Sequence, residues 1–273
     1  MSWFPVFLHL FAIGTGASLI AVPYRQIGKY YFNFHSTVLL VLVAVALLVG
    51  QPWSEFGLDP AKLAQEGAKV GQGSTYMKVV AGLSMLYALV VLGQSVVVRA
   101  AEADLRTDVL ILPVSVGAIF IIMGCFGWTA YGTGTALLLT FHLLSGAMVL
   151  GTSLIAMSTG HWYLANAQLS FDILIRLCKM FVASIGVKSV IVAIYAITRF
   201  EEYWRLEDFY KLVMGVRIAA GIVLAVALAF MSLACAKRHA NQSATGILYV
   251  AVVFVLIGET ISLYLTLGMN RPI

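Results

Sequence analysis

Four histidines lie in or beside long apolar segments, and their positions fall at two matched depths of a membrane. His9 and His142 each lie about seven residues inside such a segment, which is roughly 10 Å of helix rise. His35 begins one apolar segment and His161 follows another, both at the opposite membrane face. Histidine holds haem iron, and ionisable groups inside a bilayer usually mark function. We therefore predict His9 and His142 as ligands of haem b or quinone.

His35 and His161 are the candidates for a second, inner site, although histidines at the membrane interface also serve as anchors. Haem iron is the one metal that we expect His9 and His142 to bind. Small residues one or two turns away, Gly16 and Gly146, would make room for a haem ring. The same small residues are equally typical of close helix packing.

Three further ionisable residues, Lys188, Arg217 and Glu259, lie within apolar segments and between the membrane midplane and the outer face. Each costs about 2.5–3.5 kcal/mol to insert at the centre of a membrane helix. One interpretation is a salt bridge of Glu259 with Arg217 or Lys188 that faces the bundle interior. The other is an outward polar pocket, shared with His9 and His142, that binds quinone and transfers protons.

The segments that must position these residues are membrane-spanning helices. The chain has 273 residues, of which 61% are apolar and 11% charged, whereas soluble domains carry about 25% charged residues. A span needs about 20 apolar residues. By that criterion we predict an all-α, polytopic transmembrane helix bundle of eight spans, at 3–22, 34–52, 79–98, 108–128, 134–157, 173–198, 210–235 and 245–269.

Basic residues predict the orientation of these spans, because short cytoplasmic loops are enriched in lysine and arginine. Basic residues lie at the loops that follow spans one, three, five and seven, namely Arg25, Lys29, Arg99, Arg106, Arg176, Lys179, Lys237 and Arg238. Both termini are therefore predicted to be periplasmic, in a bacterial inner membrane. No basic run is present, so the net charge of +5 reflects topology and not nucleic-acid binding.

A faint repeat relates the first and fifth spans. Residues 7–21 read FLHLFAIGTGASLIA and residues 140–156 read TFHLLSGAMVLGTSLIA, and a gap of two residues aligns both ends. The repeat predicts a single membrane domain, 1–273, made of two four-helix halves, 1–128 and 129–273. In architecture alone this plan is similar to that of the quinone-reactive NrfD-like membrane subunits, whose motifs are not found here.

The two longer outer loops also carry structural signals. Asp59 and Pro60 are typical of a helix start and predict a short interfacial helix within 54–70. Segment 199–209 mixes aromatic and acidic residues, as interfacial segments do. Cys125, Cys178 and Cys235 have no CxxC spacing, and no P-loop, GxSxG or HExxH motif is present. The cysteines are expected to pack as small apolar residues.

Three functions remain open at the level of sequence. The first is an integral membrane subunit of a respiratory or other electron-transfer complex, which interacts with quinone, has haem b as a candidate cofactor, and assembles with other membrane and periplasmic subunits. As an enzyme it would be a quinone-reactive or non-catalytic subunit of an oxidoreductase. The second is a secondary transporter that uses Lys188, Arg217 and Glu259. The third is a structural membrane subunit without its own activity.

Overall fold

The computed structural model describes residues 3–50, 70–101, 107–126, 133–165, 169–198 and 207–268, and these segments are helical with short turns and contain no strand. The helices are α1 (Trp3–Leu19), α2 (Tyr24–Ile27), α3 (Lys29–Val49), α4 (Val70–Ala100), α5 (Asp108–Phe126), α6 (Thr133–Ala165), α7 (Phe171–Thr198), α8 (Asp208–Val216), a π-helical segment (Arg217–Leu224), α9 (Ala225–Lys237), α10 (Asn241–Leu263) and a final π-helical turn (Tyr264–Gly268).

Two four-helix bundles with the same neighbour pattern make up the fold. In the first bundle α1 packs on α3, α3 on α4, α4 on α5, and α5 returns to α1. In the second bundle α6 packs on α7, α7 on α9, α9 on α10, and α10 returns to α6. This pattern is the one that two four-helix halves require, and the duplication itself remains a prediction.

The bundles meet where α1 crosses α6. At this crossing a side chain on Gly151 would collide with the backbone of Gly14, and one on Gly14 would collide with the backbone of Ala147. Backbones can approach so closely only where side chains are minimal, as in other membrane helix pairs. The two small-residue segments of the sequence repeat therefore form the joint between the bundles.

The distribution of polar and apolar side chains is that of a membrane protein. Seven described helices are long and apolar enough to cross a membrane, and α1 adds a shorter apolar helix of 17 residues. Large apolar side chains such as Leu48 and Ile197 are 86% and 79% exposed. Lys188 and Arg217, in contrast, are at most 1% exposed. The predicted polytopic bundle of about eight spans is confirmed, and its exposed surface contacts lipid.

Several helices extend beyond the apolar segments that predicted them. Helix α3 begins at Lys29, five residues before the predicted span, and α6 continues to Ala165. The helix of the fifth span therefore includes His161, which the hydropathy pattern placed after it. Hydropathy marks the part of a helix that lies in hydrocarbon and not its hydrogen-bonded ends. The predicted helix within 54–70 and most of segment 199–209 lie outside the described residues.

Candidate functional site

A buried ion pair lies at the centre of the second bundle. The Nζ atom of Lys188, on α7, lies 3.0 Å from Oε2 of Glu259, on α10, and the two side chains are only 1% and 7% exposed. Counted from the end of the bundle at which α1 begins, Lys188 lies ten residues inside α7, which is about 15 Å of helix rise. The ion pair therefore lies deep in the membrane region, where each charge needs a partner.

His142, on α6, is hydrogen-bonded to both neighbouring helices. Its Nε2 lies 2.8 Å from the Ser262 hydroxyl of α10 and 3.4 Å from Lys188 Nζ, which also donates to the His142 carbonyl at 3.0 Å. An ammonium group can only donate. Lys188 can therefore hydrogen-bond to Nε2 only in the tautomer of His142 that carries its proton on Nδ1, whereas the Ser262 hydroxyl can bond to either tautomer.

Two groups beside the ion pair keep polar atoms without a partner among the described residues. In His142 the atom is Nδ1, and in Arg217 the atoms are both terminal nitrogens, Nη1 and Nη2. Both side chains are buried, at 0% and 1% exposure. Arg217 interacts electrostatically with Glu259, His142 and Lys188. The two Arg217 nitrogens are donors, and His142 Nδ1 is a donor in the tautomer that bonds to Lys188, so the site presents hydrogen-bond donors that no described protein atom accepts.

The backbone around the site makes room for these long side chains. Arg217 begins the π-helical segment, which runs to Leu224, and such irregular turns inside α-helices are frequent at functional sites. Gly146 lies against the ion pair, because a side chain there would collide with Glu259 Oε2. Gly221 and Gly258 bring the π-helical segment and α10 into backbone contact. That contact places Arg217 and Glu259 on two closely packed helices.

The charge of the site is not balanced. Lys188 and Arg217 are cations, and Glu259 is the one carboxylate that the described residues place with them. The site therefore has one more positive than negative charge, on side chains that are buried in the second bundle. Such a site favours a ligand with an anionic oxygen or a strongly polarised carbonyl oxygen.

His9 lies in the other bundle. Its ring contacts Tyr87 of α4 and Phe120 of α5, with ring centroids 5.9 and 5.0 Å apart, and its Nδ1 is hydrogen-bonded to the Pro5 carbonyl at 2.9 Å. The structure thus brings His142, Lys188, Arg217 and Glu259 together and places His9 in the interior of the first bundle.

The inner histidines have separate partners. His35 is 1% exposed and is hydrogen-bonded to Ser158 through Nε2 at 2.9 Å and to the Tyr31 carbonyl through Nδ1 at 2.8 Å. His161 is exposed, and its Nδ1 lies 3.0 Å from the Tyr249 hydroxyl. Both ring nitrogens of His35 are therefore engaged, in a polar contact between α3 and α6.

Sequence reasoning found the charged residues of the site but missed its neutral ones. Ser262 is one helical turn beyond Glu259, and Tyr195 packs edge-on against His142 with ring centroids 5.6 Å apart. Tyr31, whose hydroxyl is hydrogen-bonded to Thr159 at 2.7 Å, was missed as well. A serine or tyrosine in an apolar helix is common and does not by itself indicate a site. The one signal in the sequence is that Ser262 and Tyr31 lie about one helical turn from Glu259 and His35, respectively.

Comparison with known proteins identifies no relative: no family model, no curated protein and no solved structure matches the chain. Within the described ranges, no three histidine, cysteine, aspartate or glutamate side chains are grouped so that they could hold a metal ion.

Proposed function

We propose that this protein is a quinone-reactive integral membrane subunit of an electron-transfer complex, with its quinone site in the second bundle. The observation that carries the proposal is the set of buried polar atoms without an acceptor among the described residues, on Arg217 and His142, beside the Lys188–Glu259 ion pair. A quinone offers carbonyl oxygens as acceptors, and its reduction requires groups that transfer protons. The site supplies both kinds of group.

Each residue has a distinct role in this proposal. Arg217 donates to one quinone oxygen, and His142 donates to an oxygen through Nδ1. When two electrons arrive from a redox centre in a partner subunit, the quinone takes up two protons and becomes quinol. His142 and Glu259 relay these two protons from water to the quinone oxygens: Glu259 takes up a proton from water before it gives one, and His142 regains the proton that it gives, while Lys188 holds Glu259 in place. The partners are other membrane and periplasmic subunits, in a bacterial inner membrane with both termini periplasmic.

A route from the bilayer to the site follows from the packing of the seventh span. Its second part, α9, packs on both α7 and α10, whereas its first part, α8, packs on α10. No substantial backbone contact joins α8 or the π-helical segment to α7. Tyr195 of α7 and Met214 of α8, the two helices that flank this gap, are buried, at 4% and 5% exposure. A bilayer-soluble ligand such as quinone would enter by displacing them.

The haem b prediction fits the histidines less well. In His142, Nε2 is occupied by Ser262 and lies beside the Lys188 ammonium group, whose positive charge disfavours a bound iron cation. His9 and His142 also belong to the interiors of different bundles. We therefore assign no step to haem. A reduced-minus-oxidised optical spectrum of the purified protein tests the prediction directly.

Anion transport is a second candidate, and the irregular segment that begins at Arg217 favours it. Secondary transporters often place interrupted helices at their substrate sites. The surplus positive charge at Arg217 and Lys188 would suit an anionic substrate. Uptake of labelled anions into proteoliposomes separates this function from quinone binding.

Quinone binding in lipid nanodiscs tests the proposal. The wild-type protein should bind a short-chain quinone, measured as a change in the quinone absorbance spectrum. Arg217→Gln should weaken binding at least tenfold, because about 1.5–3 kcal/mol of charge-assisted hydrogen bonding is lost. Lys237→Gln is the matched control, since Lys237 is an exposed cation at the end of the same span. Equal binding by all three proteins would reject the site.

A further inference from the structure

The surplus charge of the site points to a second class of ligand. Two buried cations lie in the field of one carboxylate, which is paired with Lys188, and the terminal nitrogens of Arg217 have no described acceptor. A buried charge without a counter-charge is very costly in a low-dielectric interior. When no quinone is bound, the cation still needs a counter-ion, and a neutral molecule cannot supply one.

We propose that the second bundle binds a monovalent carboxylate at Arg217, and that this anion occupies the site in competition with quinone. The inference shares the location of the proposed quinone site, but it does not require the quinone reaction. One negative charge balances the excess of Lys188 and Arg217 over Glu259.

The geometry of the donors favours a carboxylate over other anions. Arginine presents its terminal nitrogens in a planar fork that matches the two oxygens of a carboxylate. Both nitrogens of that fork, Nη1 and Nη2, are without a described partner, and His142 Nδ1 is a further donor of the same site. Inorganic phosphate carries more than one negative charge near neutral pH and would overcompensate the single surplus charge.

The carboxylate could reach Arg217 from water or from the bilayer. Arg217 lies nine residues into its span, about 13 Å from the helix start. Leu212 of α8 and Ile194 of α7 are exposed apolar side chains on the two helices that flank this gap. An amphiphile such as a fatty acid could place its chain there and its carboxylate at Arg217, whereas acetate would have to come from the aqueous side.

Thermal unfolding in nanodiscs of zwitterionic lipid tests the inference without quinone. A ligand that binds only the folded protein raises its midpoint temperature, Tm. Saturating sodium acetate or laurate should raise Tm by about 2–4 °C or more in the wild type. Sodium chloride at equal ionic strength and dodecanol are the controls for salt and for the alkyl chain. Arg217→Gln should abolish the rise, and Lys237→Gln should retain it.

Each outcome of this experiment has a definite meaning. A rise with acetate supports the site with a water-soluble carboxylate as its ligand, and a rise with laurate alone supports it with a ligand from the bilayer. No rise with either, or the same rise in Arg217→Gln, overturns the inference. If Arg217→Gln cannot be purified, the wild-type protein with laurate is compared with the wild-type protein with dodecanol. Equal Tm values in that comparison overturn the inference. Failure of quinone binding would reject the proposed function and leave this result unchanged.

Discussion

Replacing Glu259 by glutamine should strongly destabilise the protein, because it leaves Lys188 as an unpaired cation in the membrane interior. At 3.0 Å and an effective dielectric constant near 20, the attraction between the two charges is on the order of 5 kcal/mol. Removing one partner of a buried ion pair typically costs about 3–5 kcal/mol. For a chain of this size that loss lowers Tm by about 6–20 °C.

A double-mutant cycle measures this coupling. The second single variant is Lys188→Met, and the double variant Lys188→Met/Glu259→Gln removes both charges. Unfolding can be followed with a thiol-reactive dye, since Cys125 and Cys178 are buried in the folded protein. The double variant should be much less destabilised than the sum of the singles.

An exposed ion pair provides the matched control. Lys211 and Asp208 lie 3.2 Å apart, but their side chains are 29% and 100% exposed. Asp208→Asn should therefore leave Tm close to that of the wild type. A Tm of Glu259→Gln equal to that of the wild type, or strictly additive effects in the double variant, would refute the claim that the buried pair stabilises the second bundle.

Three further substitutions test the packing around the site and between the bundles. Gly146→Ala should cost about 1–3 kcal/mol of stability, because the added methyl group forces the ion pair apart. Gly186→Ala is the control: its methyl group would meet open space, so the substitution should be neutral or stabilising by about 0.5–1 kcal/mol. Gly151→Ala should lower Tm far more than Gly82→Ala, because only the former collides with backbone of the other bundle. Tyr31→Phe should cost about 1–3 kcal/mol of stability, because it removes the hydrogen bond to the Thr159 hydroxyl between α3 and α6. An unchanged Tm would show that this contact is dispensable.

The sequence predicts the fold well because the bilayer restricts the choice. An apolar run of about 20 residues has few alternatives to a spanning helix, since backbone polar groups must be satisfied within the segment. The helix ends were less predictable. Helix α6 continues through Gly160 and His161 because no proline ends it there, although hydropathy falls.

The site was predictable only in part, because helix depth is readable from sequence and helix rotation about its axis is not. Depth placed Lys188, Arg217 and Glu259 in the same half of the membrane, and the Lys188–Glu259 salt bridge was one of two that depth allowed. His9 lies at the same depth as His142, yet it faces Tyr87 in the first bundle. Equal depth on two neighbouring helices is therefore compatible with entirely different surroundings.

Photoaffinity labelling tests the proposed quinone site most directly. An azido-quinone in nanodiscs should label peptides around His142, Arg217 or Glu259, and an excess of unreactive quinone should protect them. Arg217→Gln should lose this protected labelling, while Lys237→Gln should keep it. Labelling confined to the first bundle or to lipid-exposed residues, without protection, would contradict the assignment of quinone to the second bundle.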